Sequence, residues 1–376
     1  MQRIDHSLLS PSLGVHKTLS SLHFGTPGAR PKVYIQASLH AEELPGMLVA
    51  HHVRHLLKAA DDRGEIQGEV VLVPVANPVG LAQRVDHKPM GRFELNTSEN
   101  FNRHYPDLAA VVAPQVLSHL GTDPARNVTL VREAIAQYLQ SWNPDTELQS
   151  LRKTLVMLAF DADYVLDLHC DCEAAMHFYT EETCWPALEP LANLLQCEAV
   201  LLAKNSGGGP FDECLSGVWW QLQAALQTQA NTAPLPQGCH TTTIEFRGEA
   251  DVTHPLATQD ANAIWAFLQH LRVVSSANAV SIPAPRCAAT PLAGSETLTT
   301  PVAGLLVFLA EPGQIVQAGD LIAEIIDPIN ATTHPVRAGV AGVFYARVRE
   351  RYLTTGGEVG KIAGTTPFRT GDLLGV

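Results

Sequence analysis

The chain has 376 residues, of which 46% are hydrophobic and 17% are charged, and its formal net charge is −13. The length and apolar content suffice for a large core and suggest two or three domains, whereas the charge disfavours nucleic acid or an anionic membrane surface as a partner. The segment MQRIDHSLLSPSLG lacks the apolar region of a secretory signal, and no apolar run reaches the ~18 residues of a membrane span. The seven cysteines show no C-x-x-C spacing. We therefore expect a soluble, cytoplasmic protein.

Short apolar runs alternate with helix-patterned segments from about residue 30 to residue 270. The runs that predict strands are, in chain order, KVYIQAS, EVVLVPVAN, DYVLDLH, AVLLAKN and TTTIEFRG. Between the first two, GMLVAHHVRHLLKAA has apolar residues at i, i+4 and i+8, which predicts a helix. Continuously apolar strands that alternate with helices indicate a mixed, largely parallel α/β sheet flanked by helices.

Polar side chains stand at or near the carboxyl ends of four predicted strands, namely His40, Asn77, His169 and Glu245. In open α/β sheets, ligands bind outside the carboxyl ends of the strands. We therefore expect the functional site at this edge.

The segment SSANAVSIPAPRCAATPLAGSE is rich in Ala, Ser and Pro and predicts a linker, so we divide the chain into an α/β domain at 1–285 and a β-rich domain at 286–376. The second domain contains a weak repeat, AGLLVFLAEPGQIVQAGDLIAEI and AGVFYARVRERYLTTGGEVGKIA. Two such units predict a pseudo-symmetric β-sandwich that resembles the biotinyl/lipoyl barrel-sandwich fold. The connection IIDPINATTHPVRAG has no lysine, so we do not expect a carrier role.

His40 and Glu43 form an H-x-x-E pair at the turn after the first predicted strand, and Pro45 suits the first turn of the next helix. Such a pair by itself also fits a helix-capping acid beside a surface histidine. The tripeptide DLH supplies a third ligand, His169, and places Asp167 on the same strand face, where it can orient the imidazole. Three ligands with one open position are typical of a catalytic zinc ion.

Glu245 is a lone carboxylate in the apolar strand TTTIEFRG, where an unpaired charge is costly. It either pairs with an arginine such as Arg247 or acts as a general base beside the metal.

A long polar loop follows the second predicted strand, and its arginines and asparagines are Arg84, Arg92, Asn100, Asn102 and Arg103. Long loops at the active end of a sheet tend to be functional, and an arginine matches a carboxylate bidentately. An ordinary solvated loop is the alternative.

The order H-x-x-E, N-P, an arginine ahead of N-R-x-[FY]-P, D-L-H and a T-x-E strand resembles the zinc carboxypeptidase superfamily. Within it, the chain is most similar to the succinylglutamate desuccinylase/aspartoacylase family, in which a β-rich domain follows the catalytic one. The resemblance covers almost the whole chain, and the separation of Glu43 and His169 (169 − 43 = 126) is close to the one that this family uses.

The resemblance implies one Zn²⁺ per chain, a general base, an arginine that polarises the scissile carbonyl and an anchor for a substrate carboxylate. The residues that match the zinc ligands are His40, Glu43 and His169, and the one that matches the general base is Glu245. Arg92 matches the arginine that polarises the carbonyl, and Asn102 and Arg103 match the carboxylate anchor. Arg84 competes with Arg92, and the substrate-contacting tyrosine of the family has only Tyr345 and Tyr352 as candidates.

The reaction that the resemblance implies is zinc-dependent hydrolysis of the acyl amide of an N-acyl amino acid or related small amide, on a carboxylate-bearing substrate. A zinc metallocarboxypeptidase acting on short peptides is the alternative. A non-catalytic metal-binding or scaffold protein is a third interpretation, which the glutamate at 245 disfavours. The sequence leaves the acyl group, the amine, the metal used in the cell and the oligomeric state open, a homo-oligomer included.

Overall fold

The computed structural model describes residues 1–229 and 232–375. The helices are α1 (Pro45–Asp62), α2 (Pro78–Leu81), α3 (Leu108–Val116), α4 (Pro124–Ser141), α5 (Glu147–Ala159), α6 (Trp185–Leu195), α7 (Phe211–Thr228) and α8 (His254–His270), with a 3₁₀ turn at Leu292–Gly294. The first twelve strands are β1 (Gln2–Ser7), β2 (Thr18–Gly25), β3 (Lys32–Ala37), β4 (Glu69–Val73), β5 (Arg84–Val85), β6 (Lys88–Pro89), β7 (Tyr164–Asp171), β8 (Glu173–Ala174), β9 (His177–Glu181), β10 (Ala199–Ala203), β11 (His240–Gly248) and β12 (Ala289–Pro291). The others are β13 (Ser295–Thr299), β14 (Gly304–Phe308), β15 (Gln314–Val316), β16 (Leu321–Asp327), β17 (Thr332–Arg337), β18 (Gly342–Arg347), β19 (Tyr352–Leu353) and β20 (Glu358–Gly364).

The main sheet has nine strands in the order β1-β2-β4-β3-β7-β11-β9-β10-β12. Strands β4, β3, β7 and β11 are parallel, and β9, β10 and β12 run together in the opposite direction. Successive strand side chains point to opposite faces, so one face packs against α3, α4, α5 and α7 and the other against α1, α6 and α8. The predicted mixed, largely parallel sheet flanked by helices is confirmed.

The five strands predicted from apolar runs are confirmed as β3, β4, β7, β10 and β11, and the predicted helix is α1. Its buried residues include Val49, Val53 and Leu57, at the predicted four-residue spacing. The edge hairpin β1–β2 was not predicted, because β1 is largely exposed and its sequence QRIDHS carries no apolar run.

The C-terminal part of the chain forms two antiparallel sheets, β13-β20-β18-β15 and β17-β16-β14-β19, to which both copies of the repeat contribute. The first copy supplies β14, β15 and β16, and the second supplies β18, β19 and β20. The short middle strands are exchanged, since β15 pairs with β18 and β19 pairs with β14. Neither copy completes its own sheet, and the barrel-sandwich-like prediction is confirmed.

Two short strands connect the α/β and β-rich parts of the chain. Within the predicted linker, β12 extends the main sheet beside β10, and β8 pairs with β18 of a C-terminal sheet. The division after residue 285 stays a prediction. No helix in 1–229 or 232–375 has the length and hydropathy needed to cross a membrane.

Candidate active site

The carboxyl ends of three adjacent parallel strands, β3, β7 and β11, bring the predicted site residues together. His40 and Glu43 lie in the turn between β3 and α1, and His169 lies on β7. On β11, Glu245 is in register with His169. A Cβ at Gly46 would lie 2.9 Å from the Leu168 carbonyl oxygen, so this glycine allows the first turn of α1 to approach β7 closely.

His40, Glu43 and His169 form a buried group that could hold a metal ion, and their ligand atoms all lie within 4.8 Å of one another. His40 Nδ1 is 2.9 Å from Glu43 Oε1, and His169 Nδ1 is 2.7 Å from Glu43 Oε2. Two imidazole nitrogens and a carboxylate oxygen are a donor set that suits zinc and leaves a position open. The sequence motifs therefore identified three side chains that converge.

The far sides of both imidazole rings face acceptors that orient them. His40 Nε2 donates to Asn100 Oδ1 over 2.8 Å, and His169 Nε2 lies 3.1 Å from Asp167 Oδ2. With a metal bound, a proton on each Nε2 would leave both Nδ1 lone pairs available to the ion, which is the tautomer that a metal site requires. The position of Asp167 agrees with its predicted supporting role, and Asn100 is a support that the sequence reasoning did not identify.

The surroundings of the two rings shift their pKa values in opposite directions. Burial and the nearby Arg92 lower the pKa of His40 to about 4, so this ring is neutral at pH 7. Burial acts to lower the pKa of His169, but the carboxylates of Asp167 and Glu43 outweigh it and raise that pKa. A metal ion at His169 Nδ1 would therefore displace a proton, and its binding would weaken as the pH falls.

Glu245 carries a buried carboxylate oxygen, Oε2, that has no hydrogen-bond partner within the described residues. Arg247, the alternative partner considered from sequence, instead pairs with Asp260. Burial and the charge of Glu43 raise the pKa of Glu245 to about 8. A carboxylate with a pKa near the working pH is suited to proton transfer.

Of the two competing arginines, the structure brings Arg92 to the metal-ligating group. Its Nη1 lies 3.3 Å from both Glu43 Oε1 and His40 Nδ1. Arg84 is exposed and donates to the carbonyls of Leu81 and Gln83.

Asn102 and Arg103 are buried and line the same pocket. Asn102 Oδ1 accepts from the Phe211 backbone N–H over 2.8 Å, which ties it to the first residue of α7. Arg103 donates to the Asn102 carbonyl over 2.7 Å and to the Gly375 carbonyl over 2.5 Å. Arg103 therefore presents its guanidinium beside the C-terminal segment.

The pocket that these residues share has a cavity volume of about 110 Å³, and the β-rich part of the chain supplies part of its wall. The residues that line it and that the sequence reasoning did not identify include Asp171, Tyr179, Asp212, Glu213, Leu292, Lys361, Leu374 and Gly375. Lys361 Nζ lies 2.9 Å from Asp171 Oδ2. Only Asp171 had a sequence signal, because a single residue separates it from the DLH tripeptide.

Neither tyrosine candidate is among the described residues that line the pocket. Tyr345 is buried, and its hydroxyl is 2.9 Å from Ser295 Oγ, whereas Tyr352 is 62% exposed on β19. Tyr179 on β9 lines the pocket instead.

Part of the chain matches a family of known proteins. Residues 29–129 match the model of the succinylglutamate desuccinylase/aspartoacylase catalytic domain. No curated protein matches the chain.

Among solved structures, a succinylglutamate desuccinylase/aspartoacylase family protein from Shewanella amazonensis SB2B is 25% identical, with 96% of this chain and 98% of that chain covered and a TM-score of 0.83. A family protein from Shewanella frigidimarina NCIMB 400 is 24% identical, with 96% and 97% covered and a TM-score of 0.83. The ectoine utilization protein EutE from Ruegeria pomeroyi, in a product-bound structure, is 16% identical, with 97% and 94% covered and a TM-score of 0.63, which shows a shared fold. The resemblance carried by the ordered motifs is thus confirmed: residues 29–129 match the catalytic domain of the succinylglutamate desuccinylase/aspartoacylase family, and the chain as a whole has the fold of that family's solved proteins.

Proposed function

We propose that the protein is a zinc-dependent amidohydrolase that cleaves the acyl amide of an N-acyl amino acid or a related small amide. The observation that carries the proposal is the convergence of His40, Glu43 and His169 beside the unpaired Oε2 of Glu245 in one pocket. The matched family, one of deacylase-type hydrolases, supports the same reaction class.

The zinc ion would be held by the two Nδ1 atoms and the Glu43 carboxylate. When bound, it would supply a Lewis acid that polarises an amide carbonyl and acidifies water. Asn100 and Asp167 keep both rings in the required tautomer, since they face the Nε2 atoms.

Glu245 would act at its Oε2 atom. It takes a proton from the attacking water and passes it to the nitrogen of the leaving amine. The absence of a competing hydrogen bond to Oε2 among the described residues leaves that atom free to accept a proton when the carboxyl is ionised.

Arg92 would stabilise the negative charge that develops on the carbonyl oxygen, because its Nη1 lies 3.3 Å from Glu43 and therefore beside the reacting centre. Arg103 and Asn102 would anchor a carboxylate of the substrate. A guanidinium carries five N–H groups. Among the described residues, Arg103 donates hydrogen bonds to two backbone carbonyls, so it has further N–H groups with which to bind a substrate carboxylate.

A carboxypeptidase would use the same groups but would need room for a peptide. Leu292 and Lys361, both beyond residue 285, line the pocket together with Leu374 and Gly375. These walls favour a small substrate.

The test is amine release by the zinc-loaded protein from a panel of N-acetyl and N-succinyl amino acids, dipeptides and longer peptides. Turnover confined to the small N-acyl amino acids supports the deacylase, and turnover that grows with peptide length would support the carboxypeptidase. The matched control is Glu245→Gln, which keeps the shape of the side chain. We expect it to lose about 10²- to 10⁴-fold in kcat while retaining zinc, and retained turnover would refute the role of Glu245.

A further inference from the structure

Four histidines that have no part in the pocket lie together on the outer surface of α1 and α8. His51, His52 and His55 are on α1, and His254 is the first residue of α8. We call these four residues the histidine patch. Neighbouring ring centroids are 4.5 Å apart for His51 and His55, 5.5 Å for His51 and His52, and 5.3 Å for His52 and His254.

The patch consists of two pairs whose ring nitrogens face each other. His51 Nε2 is 3.2 Å from His55 Nε2, because residues four apart share one face of a helix. His52 Nε2 is 3.1 Å from His254 Nδ1, across the contact between the two helices. Zinc–nitrogen bonds of about 2.0–2.1 Å at a tetrahedral angle require two nitrogens to be about 3.3 Å apart. Both pairs are within a few tenths of an ångström of that separation.

The chemistry of the patch selects the kind of ion. Burial and the neighbouring histidines lower the pKa values of His51 and His52, which favours the neutral rings that bind a metal. Imidazole nitrogens suit Zn²⁺, Cu²⁺ and Ni²⁺, whereas Mg²⁺ and Ca²⁺ prefer oxygen ligands. Three of the rings are exposed and His52 is half-buried, so an ion can reach each pair from solvent and complete its coordination with water.

We propose that the histidine patch is a second metal-binding surface, which takes one divalent transition-metal ion at each histidine pair, separately from the pocket. The pair formed by His52 and His254 joins α1 to α8, so an ion there links the two helices. The competing explanation is that each pair is held by an N–H···N hydrogen bond between neutral rings, which has a similar length.

The experiment is equilibrium dialysis against Zn²⁺ at pH 7.5, with the metal counted per chain. The wild type is compared with His55→Gln, His254→Gln and the double variant. We expect each single variant to bind one zinc ion fewer than the wild type and the double variant to bind two fewer. Equal counts in all four proteins would overturn the proposal, and a loss in only one single variant would overturn it for the other pair.

Two controls separate this result from general effects. His119→Gln removes an exposed histidine outside the patch and should leave the zinc count unchanged. Dialysis against Mg²⁺ should show no difference between the wild type and the double variant. The comparison does not depend on the proposed amidohydrolase activity, because the pocket residues are identical in all of these proteins.

Discussion

Asp167→Asn offers a sharp test of how the pocket prepares its metal ligands. Asp167 is fully buried, its Oδ1 accepts a hydrogen bond, and its Oδ2 lies at ion-pair distance from an imidazole nitrogen. Oδ1 accepts from Gln36 Nε2 over 3.0 Å, and Oδ2 lies 3.1 Å from His169 Nε2. An amide at this position has one oxygen for two donors, so its own NH₂ group must face one of them.

We expect this variant to lose both affinity for zinc and folding stability. Replacing a residue that supports a metal-binding histidine typically lowers metal affinity by 10–100-fold, which corresponds to about 1.4–2.8 kcal/mol. A buried donor without an acceptor costs about 1–3 kcal/mol of folding stability. We therefore expect Asp167→Asn to raise the Kd for zinc by about 10–100-fold and to lower Tm.

The assay is competition for zinc against a chelator of known affinity, with thermal unfolding of the zinc-free proteins in parallel. Gln36→Glu combined with Asp167→Asn is the matched rescue. The new carboxylate at position 36 can accept from the amide at position 167 and from the Tyr34 hydroxyl, which already donates to Gln36 over 2.9 Å. An unchanged zinc Kd in Asp167→Asn, or a double variant no tighter than the single one, would refute this reasoning.

Three further predictions concern the pocket and the core. Arg103→Ala should raise KM about tenfold or more for carboxylate-bearing substrates, because hydrogen bonds to charged groups contribute about 1.5–3 kcal/mol, and an equal effect on carboxylate-free amides would exclude the anchor. Arg92→Ala should lower kcat by about 10²- to 10³-fold, whereas Arg84→Ala should leave kcat unchanged. Equal losses of kcat in the two variants would contradict the assignment of Arg92, rather than Arg84, as the residue that stabilises the carbonyl oxygen. Burial raises the pKa of Glu181 to about 8, so the stability provided by its protonated form is present below about pH 4.3 and is lost as the pH rises to about 8. The side chain in Glu181→Gln cannot ionise, so the Tm of this variant should rise relative to that of the wild type as the pH increases over this range. A Tm difference that does not change with pH would refute the raised pKa of Glu181.

Much of the fold followed from the local pattern of the sequence. Five apolar runs became strands of the main sheet, because a strand buried on both faces must be apolar throughout. The β1–β2 hairpin and the antiparallel direction of β9 were not predicted. Strand direction depends on which segments pair, and that is not encoded in the period of a single strand.

The candidate site was likewise predictable from the sequence only in part. His40 and Glu43 are three residues apart in one turn, and His169 and Glu245 lie near the carboxyl ends of neighbouring strands, so local motifs and the geometry of parallel strands were enough to predict that these side chains meet. Asn100 lay in a loop already suspected of function, but only the fold shows that its side chain faces His40.

Other features were decided by tertiary structure alone. Lys361 meets Asp171 across 190 residues of chain, and Arg103 meets Gly375 across 272. Asp260 rather than Glu245 became the partner of Arg247. The sequence by itself predicted which side chains would carry the proposed metal-binding and proton-transfer chemistry, since these sit on motifs shorter than one turn or strand. The walls of the pocket and the pairing of its charges were determined only when distant segments packed together, because spacing along the chain carries no record of which surfaces meet.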